Sequence, residues 1–167
     1  CPVIIVRGDP AREREPGRVV VGVDSSPYAL TALRWALREA VVRSAVLEVV
    51  HAWQPPVAAL PFGATLALTS DDAEIDATAR DHMETVVQEA LAELANEHPE
   101  RDVPEVMRTV MPGAAAMTLV DVAKDADLLV VGSHGHTGLR KFVLGSVALA
   151  CVQHAACPVA VVRRPDE

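Results

Sequence analysis

Residues Asp127 to Val147 read DLLVVGSHGHTGLRKFVLGSV. The opening is a continuous apolar run without polar alternation, the pattern of a strand buried on both faces of a parallel sheet. Glycines at Gly132, Gly135, Gly138 and Gly145 then punctuate a polar stretch. From Ser146 the apolar residues resume at helical spacing and continue to about Ala155. A buried strand, a glycine-rich loop and a helix in that order make one βα unit.

The same unit recurs on both sides. RVVVGVD (Arg18 to Asp24) is another buried strand, and SSP (Ser25 to Pro27) offers a hydroxyl N-cap and a proline for the first helical turn. Leu30, Leu33, Leu37, Ala40 and Val41 then recur at helical spacing. VLEVVHAW (Val46 to Trp53) reads as a second strand. Gln54 to Asp71 holds Pro55, Pro56, Pro61 and Gly63 and reads as a loop. A long helix is expected from Asp72 to about Asn96, with Met83, Val86, Val87, Ala90, Leu91 and Leu94 on its apolar stripe. Val103 to Met111 reads as a strand weakened at its start by Pro104, Ala115 to Lys124 as a helix, and Pro158 to Arg163 as the last strand. Alternation of this kind predicts an α/β fold: a doubly wound, five-stranded parallel sheet with helices on both faces. Val3 to Val6 adds an extra N-terminal strand, followed by a charged, Pro-containing linker from Arg7.

Composition narrows the class. The 167 residues are one domain's worth, half of them hydrophobic but only 3% aromatic, so the core is aliphatic. A net charge of −8 argues against a nucleic-acid binder, because phosphate backbones require a positive surface. The apolar stretch from Gly145 to Val162 is interrupted by Gln153, His154 and Pro158, which argues against a membrane span. Three cysteines, Cys1, Cys151 and Cys157, make no disulfide framework and suit a reducing, cytoplasmic setting.

In a doubly wound sheet a ligand sits beyond the carboxyl ends of the strands, where strand order reverses. Asp24 ends the first strand of the alternation and Gly132 the fourth. Around the latter, Gly132-x2-Gly135-x9-Gly145-Ser146 could cup an anion through backbone amides and a helix N-terminus, with Arg140 and Lys141 adding positive charge. The same glycines also suit a loop that merely turns. Asp24 could face a ribose or base, while Ser25 or Ser26 caps the helix. His134 and His136 are candidates for proton transfer, although solvated loop histidines are commoner. No acidic residue stands in an obvious position to hold Mg or activate water. Cys151, His154 and Cys157 have metal-compatible spacing but lack a fourth ligand. Trp35 and Trp53 read as core or interface residues.

VVVGVDSSPYALTALRWA, VLEVVHAW, ADLLVVGSHGHTGLRKFVLGSVA and HAACPVAVV together resemble a universal stress protein domain over Arg18 to Arg163. The glycine spacing matches that family's ATP-binding type. The resemblance implies an adenine-nucleotide alpha-hydrolase-like fold that binds ATP (or ADP or AMP), with Mg as a candidate companion. By the same resemblance Asp24 contacts adenosine with Ser25 beside it, the backbone at Ala52 borders adenine, and Val131 and Gly132 line the nucleoside. Gly135, Gly145, Ser146 and Val147 would hold phosphate, beside the positive charge already read at Arg140. It implies a nucleotide-dependent stress sensor or regulator with at most slow hydrolysis. The alternatives are an interaction module that binds no nucleotide and whose function is dimerisation, and a slow nucleotide hydrolase.

CPVIIVR (Cys1 to Arg7) echoes CPVAVVR (Cys157 to Arg163). The expectation is that residues 1–17 are the tail of a preceding, similar domain's last strand plus linker, and 18–167 the universal stress protein domain. Final strands commonly pair in this family. Val3 to Val6 is therefore expected to pair antiparallel with Val159 to Val162, within one chain or between copies, as in a homodimer or tandem pair.

Overall fold

The computed structural model describes residues 2–6, 17–54, 57–59, 65–67, 72–135 and 144–164. Eight strands and four α-helices follow one another: β1 (Val3–Ile5), β2 (Arg18–Gly22), α1 (Pro27–Arg43), β3 (Val46–Trp53), β4 (Val57–Ala59), β5 (Thr65–Ala67), α2 (Asp72–Glu97), β6 (Val106–Pro112), α3 (Ala115–Val122), β7 (Leu128–Gly132), α4 (Ser146–His154) and β8 (Val159–Val162). A 3-10 turn at Ala123–Asp125 extends α3.

Six strands form one sheet in the order β1-β8-β7-β2-β3-β6. The five from β8 to β6 run parallel, and only β1 is antiparallel to its neighbour. The chain lays β3 and β6 on one side of β2, then crosses to lay β7 and β8 on the other. Right-handed crossovers therefore put α1 and α2 on one face and α3 and α4 on the opposite face. The core divides accordingly. Val19, Val21, Leu47 and Val49 pack beneath Leu33, Leu37, Val87 and Leu94, whereas Val20, Val50, Leu129 and Val131 pack beneath Leu119, Ala148 and Cys151. Trp53 is buried in the first layer and Trp35 packs against it.

Local chemistry sets the helix ends. Ser26 caps α1, its Oγ accepting from Ala29 N–H at 3.2 Å, and Pro27 occupies the first turn. The helix stops at Ser44, which has φ 51° in the left-handed region, while Ala45 N–H bonds to the Ala40 carbonyl. On the opposite face Gly22 lets α3 approach closely: a Cβ there would sit 2.6 Å from Leu119 Cδ1.

The structure corrects several boundaries. The stretch from Gln54 to Asp71, read as a loop, contains a hairpin in which Val57 pairs with Ala67 and Ala59 with Thr65. Strands of three residues are too short to show a period among so many prolines. The strand read from Val103 begins at Val106, since Pro104 has no N–H for the ladder. The strand read to Asp24 ends at Gly22. The N-terminal strand pairs within the chain, Val3 with Val161, Ile4 with Ala160 and Ile5 with Val159. The linker residues 7–16 lie outside the described residues.

One buried charge stands at the amino end of the sheet. Glu48 is 6% exposed, and its two oxygens accept from Arg18 Nη1 at 2.8 Å and from Thr109 Oγ1 at 2.8 Å. Arg18 Nη2 also donates to the Val122 carbonyl at 2.9 Å, tying the end of α3 to β2. Removing one partner of a buried pair leaves the other uncompensated. Arg18 retains some solvent access, so Glu48→Ala is expected to cost about 2–4 kcal/mol in a urea denaturation series, and Glu48→Gln less.

Candidate functional site

The crossover between β2 and β7 opens a crevice at their carboxyl ends, because the chain leaves the two adjacent strands on opposite faces. A cavity of about 270 Å³ lies there. Val50, Leu119 and Val131 supply an apolar floor, Asp24 a carboxylate, and Ser146 and Val147 the start of α4.

Asp24 has two roles because it has two oxygens. Oδ1 accepts from Ser26 N–H at 2.9 Å and braces the turn into α1. Oδ2 lies toward Gly135, where an added Cβ would stand 3.0 Å from it. The first strand's carboxylate and the glycine loop thus meet across the crevice. Asp24 is the single carboxylate among the described lining residues. A cation held here would take most of its oxygen ligands from a bound phosphate and water.

The base of the loop is tied down at both ends. Ser133 N–H donates to the Val162 carbonyl of β8 at 2.9 Å, and the Ser133 carbonyl accepts from Gly145 N–H at 2.8 Å. Gly145 is needed for this closure, since a Cβ there would lie 3.1 Å from the Ser133 carbonyl oxygen and 3.3 Å from His134 Cα. Its own amide is therefore engaged within the loop. The donors for an anion are the amides of Ser146, Val147 and Ala148, in the first turn of α4, whose first internal bond is Leu149 N–H to the Gly145 carbonyl.

Of the residues singled out from sequence, Asp24, Ala52, Val131, Gly132, Gly135, Gly145, Ser146 and Val147 line this one cavity. Ser25 is exposed and is not among the lining residues; its neighbour Ser26 is the cap. Arg140, Lys141 and His136 lie outside the described residues. His134 borders the cavity, with Nδ1 3.1 Å from Ser133 Oγ and its ring 5.4 Å from that of Tyr28. Arg164 also lies over the Tyr28 ring, its Cζ 5.8 Å from the ring centroid. Leu119, Tyr28 and Arg164 escaped the sequence reading. The signal for Arg164 was its place just beyond the carboxyl end of a strand that adjoins β7.

The metal-compatible trio does not converge. Cys151 and Cys157 are buried thiols facing the core, while His154 is exposed. Among the described residues no group of three His, Cys, Asp or Glu side chains is placed to hold a metal. Likewise no described helix is long and apolar enough to cross a membrane.

The model of the universal stress protein family matches residues 16–163. Universal stress protein Rv2623 of Mycobacterium tuberculosis is 35% identical over 153 residues, covering 89% of this chain and 48% of that protein. Universal stress protein Mb2028c of Mycobacterium bovis is 36% identical over 167 residues, covering 98% of this chain and 52% of that protein. The chain thus spans about half the length of these relatives. A universal stress protein from Archaeoglobus fulgidus solved in complex with dAMP superposes with TM-score 0.55 at 25% identity, covering 87% of this chain and 96% of that one. Another solved in complex with cAMP gives TM-score 0.59 at 24% identity, covering 88% and 96%.

Burial raises both cysteine pKa values, that of Cys151 to about 11. In the unfolded chain the thiol ionises near its ordinary value of 9.0. The folded state favours the protonated thiols, so the contribution of Cys151 is full below pH 9.0 and is lost as pH rises through about 11. Unfolding free energy measured across that window is expected to fall, with a shallower slope in Cys151→Ala.

Proposed function

The chain belongs to the universal stress protein family, and we propose that its crevice binds an adenine nucleotide, ATP, ADP or AMP, and that occupancy makes the domain a nucleotide-dependent sensor or regulator of a stress response. The observation that carries this reading is the meeting of Asp24 with the Gly132-x2-Gly135-x9-Gly145-Ser146 loop at the switch point of the sheet. The apolar floor suits a base, Asp24 Oδ2 suits a ribose hydroxyl, and the first turn of α4 suits phosphate. The relative solved with dAMP supports the nucleotide class.

Binding without appreciable turnover is the expected chemistry. No described side chain stands as an obvious activator of water. The phosphates themselves would carry any Mg. The two reduced thiols fit a cytoplasmic location, and the net charge of −8 fits a protein that ignores nucleic acid.

The test is to denature freshly purified protein, identify released small molecules by mass spectrometry, and titrate the emptied protein with Mg-ATP, ADP and AMP. Near-stoichiometric adenine nucleotide, or saturable binding, is the expected result; an empty protein that binds none of the three overturns the reading. Gly145→Val should abolish binding by breaking the loop closure. Asp24→Asn keeps the bond to Ser26 N–H but loses the facing acceptor, and should weaken binding about tenfold with little loss of stability.

A specific observation favours pairing between domains as a second property. With CPVIIVR aligned on CPVAVVR, the pairs Val3–Val161, Ile4–Ala160 and Ile5–Val159 are symmetric about Ile4 and Ala160. β1 therefore occupies the place that an equivalent final strand would take across a two-fold axis. Val3 and Ile4 are 55% and 45% exposed although their composition is that of a covered strand. A variant lacking residues 1–6 should dimerise through the vacated edge of β8 in sedimentation experiments; a persistent monomer would count against it.

A further inference from the structure

The β2–β3 ladder ends in an irregular way beside the cavity. In this ladder the even-numbered residues of β3 bond to β2, beginning with Val46 N–H to the Gly17 carbonyl and reaching Val23 N–H to the Val50 carbonyl at 2.9 Å. The next rung of a regular parallel ladder would be Ala52 N–H to the Val23 carbonyl. Among the described residues that rung is not made. The Val23 carbonyl instead accepts from the His51 side chain, with Nδ1 2.9 Å away. A carbonyl can only accept, so Nδ1 carries the proton. Residue 52 belongs to the β2-facing set, so both its N–H and its carbonyl point toward the side that β2 has left. Val23 and Ala52 both line the cavity.

We propose that His51 is a positioning residue for ligand recognition: it takes over the Val23 carbonyl, and so leaves the Ala52 N–H and carbonyl to a ligand edge. Such an edge must offer an acceptor and a donor side by side. The Watson–Crick edge of adenine does so through N1 and the N6 amine, whereas that of hypoxanthine presents a donor and an acceptor in reversed order. His51 thereby acts through the backbone, without touching the ligand. The selectivity part of this inference rests on the adenine-nucleotide reading; the backbone part does not.

Two measurements separate the parts. Amide hydrogen exchange should show Ala52 exchanging much faster than Val50 in the parent protein. In His51→Ala, Ala52 should become protected as it closes the vacated rung. Protection of Ala52 equal to that of Val50 in the parent, or no change in His51→Ala, overturns the proposal whatever the protein binds. In titrations, His51→Ala should weaken AMP binding about 3- to 10-fold and narrow the preference for AMP over IMP. His51→Asn, whose amide nitrogen stands in for Nδ1, should restore both, while His51→Gln should not. Equal losses in the Ala and Asn variants, at matched stability, would reduce His51 to a structural role. A parent protein that ignores all adenine nucleotides would sink the nucleotide reading, leaving hydrogen exchange to decide the His51 claim.

Discussion

The structure depends on the position of β2. Among the described strands it is the one from which the chain builds outward in both directions, with strands on both sides and helices on both faces. Val19, Val20 and Val21 are fully buried. A strand so enclosed can present chemistry only where it ends. The crossovers on its two sides separate beyond Gly22, and the crevice between them follows from the handedness of the connections. Neither loop alone makes this site: Asp24 arrives from β2, and the glycine loop from β7.

Much of this was legible in the sequence. VLEVVHAW was read as a strand from Val46 to Trp53 and is one over that range. Strands of this kind are written as unbroken apolar runs, and helix α1 as a cap, a proline and a leucine stripe. The glycine spacing and Asp24 marked the site, because small residues and carboxylates at strand ends are local signals. What escaped was pairwise and remote. Glu48 looks like an interruption in an apolar strand until Arg18 and Thr109 are seen bonded to it. Likewise nothing local in ACPVAVVRR says that Arg164 will stack on Tyr28. The engagement of the Gly145 amide by the Ser133 carbonyl also had no signature, since the backbone carries no letter of its own.

The two faces of the molecule are stabilised differently. On the outer surface of α1 and α2, Arg34 pairs with Glu93 and Arg38 with Glu97, zipping one helix to the other. Such exposed pairs contribute little each, but they join the two long helices at successive turns. Single exposed apolar side chains occur on both faces: Val42 on α1, Met117 on α3 and Leu149 on α4. The α3–α4 face supplies Leu119 and Ala148 to the crevice. The loop there is joined through Ser133 N–H to β8, the strand next to β1. Events at the edge of the sheet and events in the crevice therefore share one backbone connection.

The pairing of β1 with β8 joins residues from opposite ends of the described chain. β8 also lies between β1 and β7, so it is the last piece made and an interior piece of the sheet. Within this segment β1 is made before β8, so their pairing, like the closing of the β7 edge, waits until the residues around Val162 leave the ribosome. Assembly of the sheet is thus delayed to the end of translation of this segment. In that interval the β7 edge that β8 will cover is open to any other unpaired strand nearby.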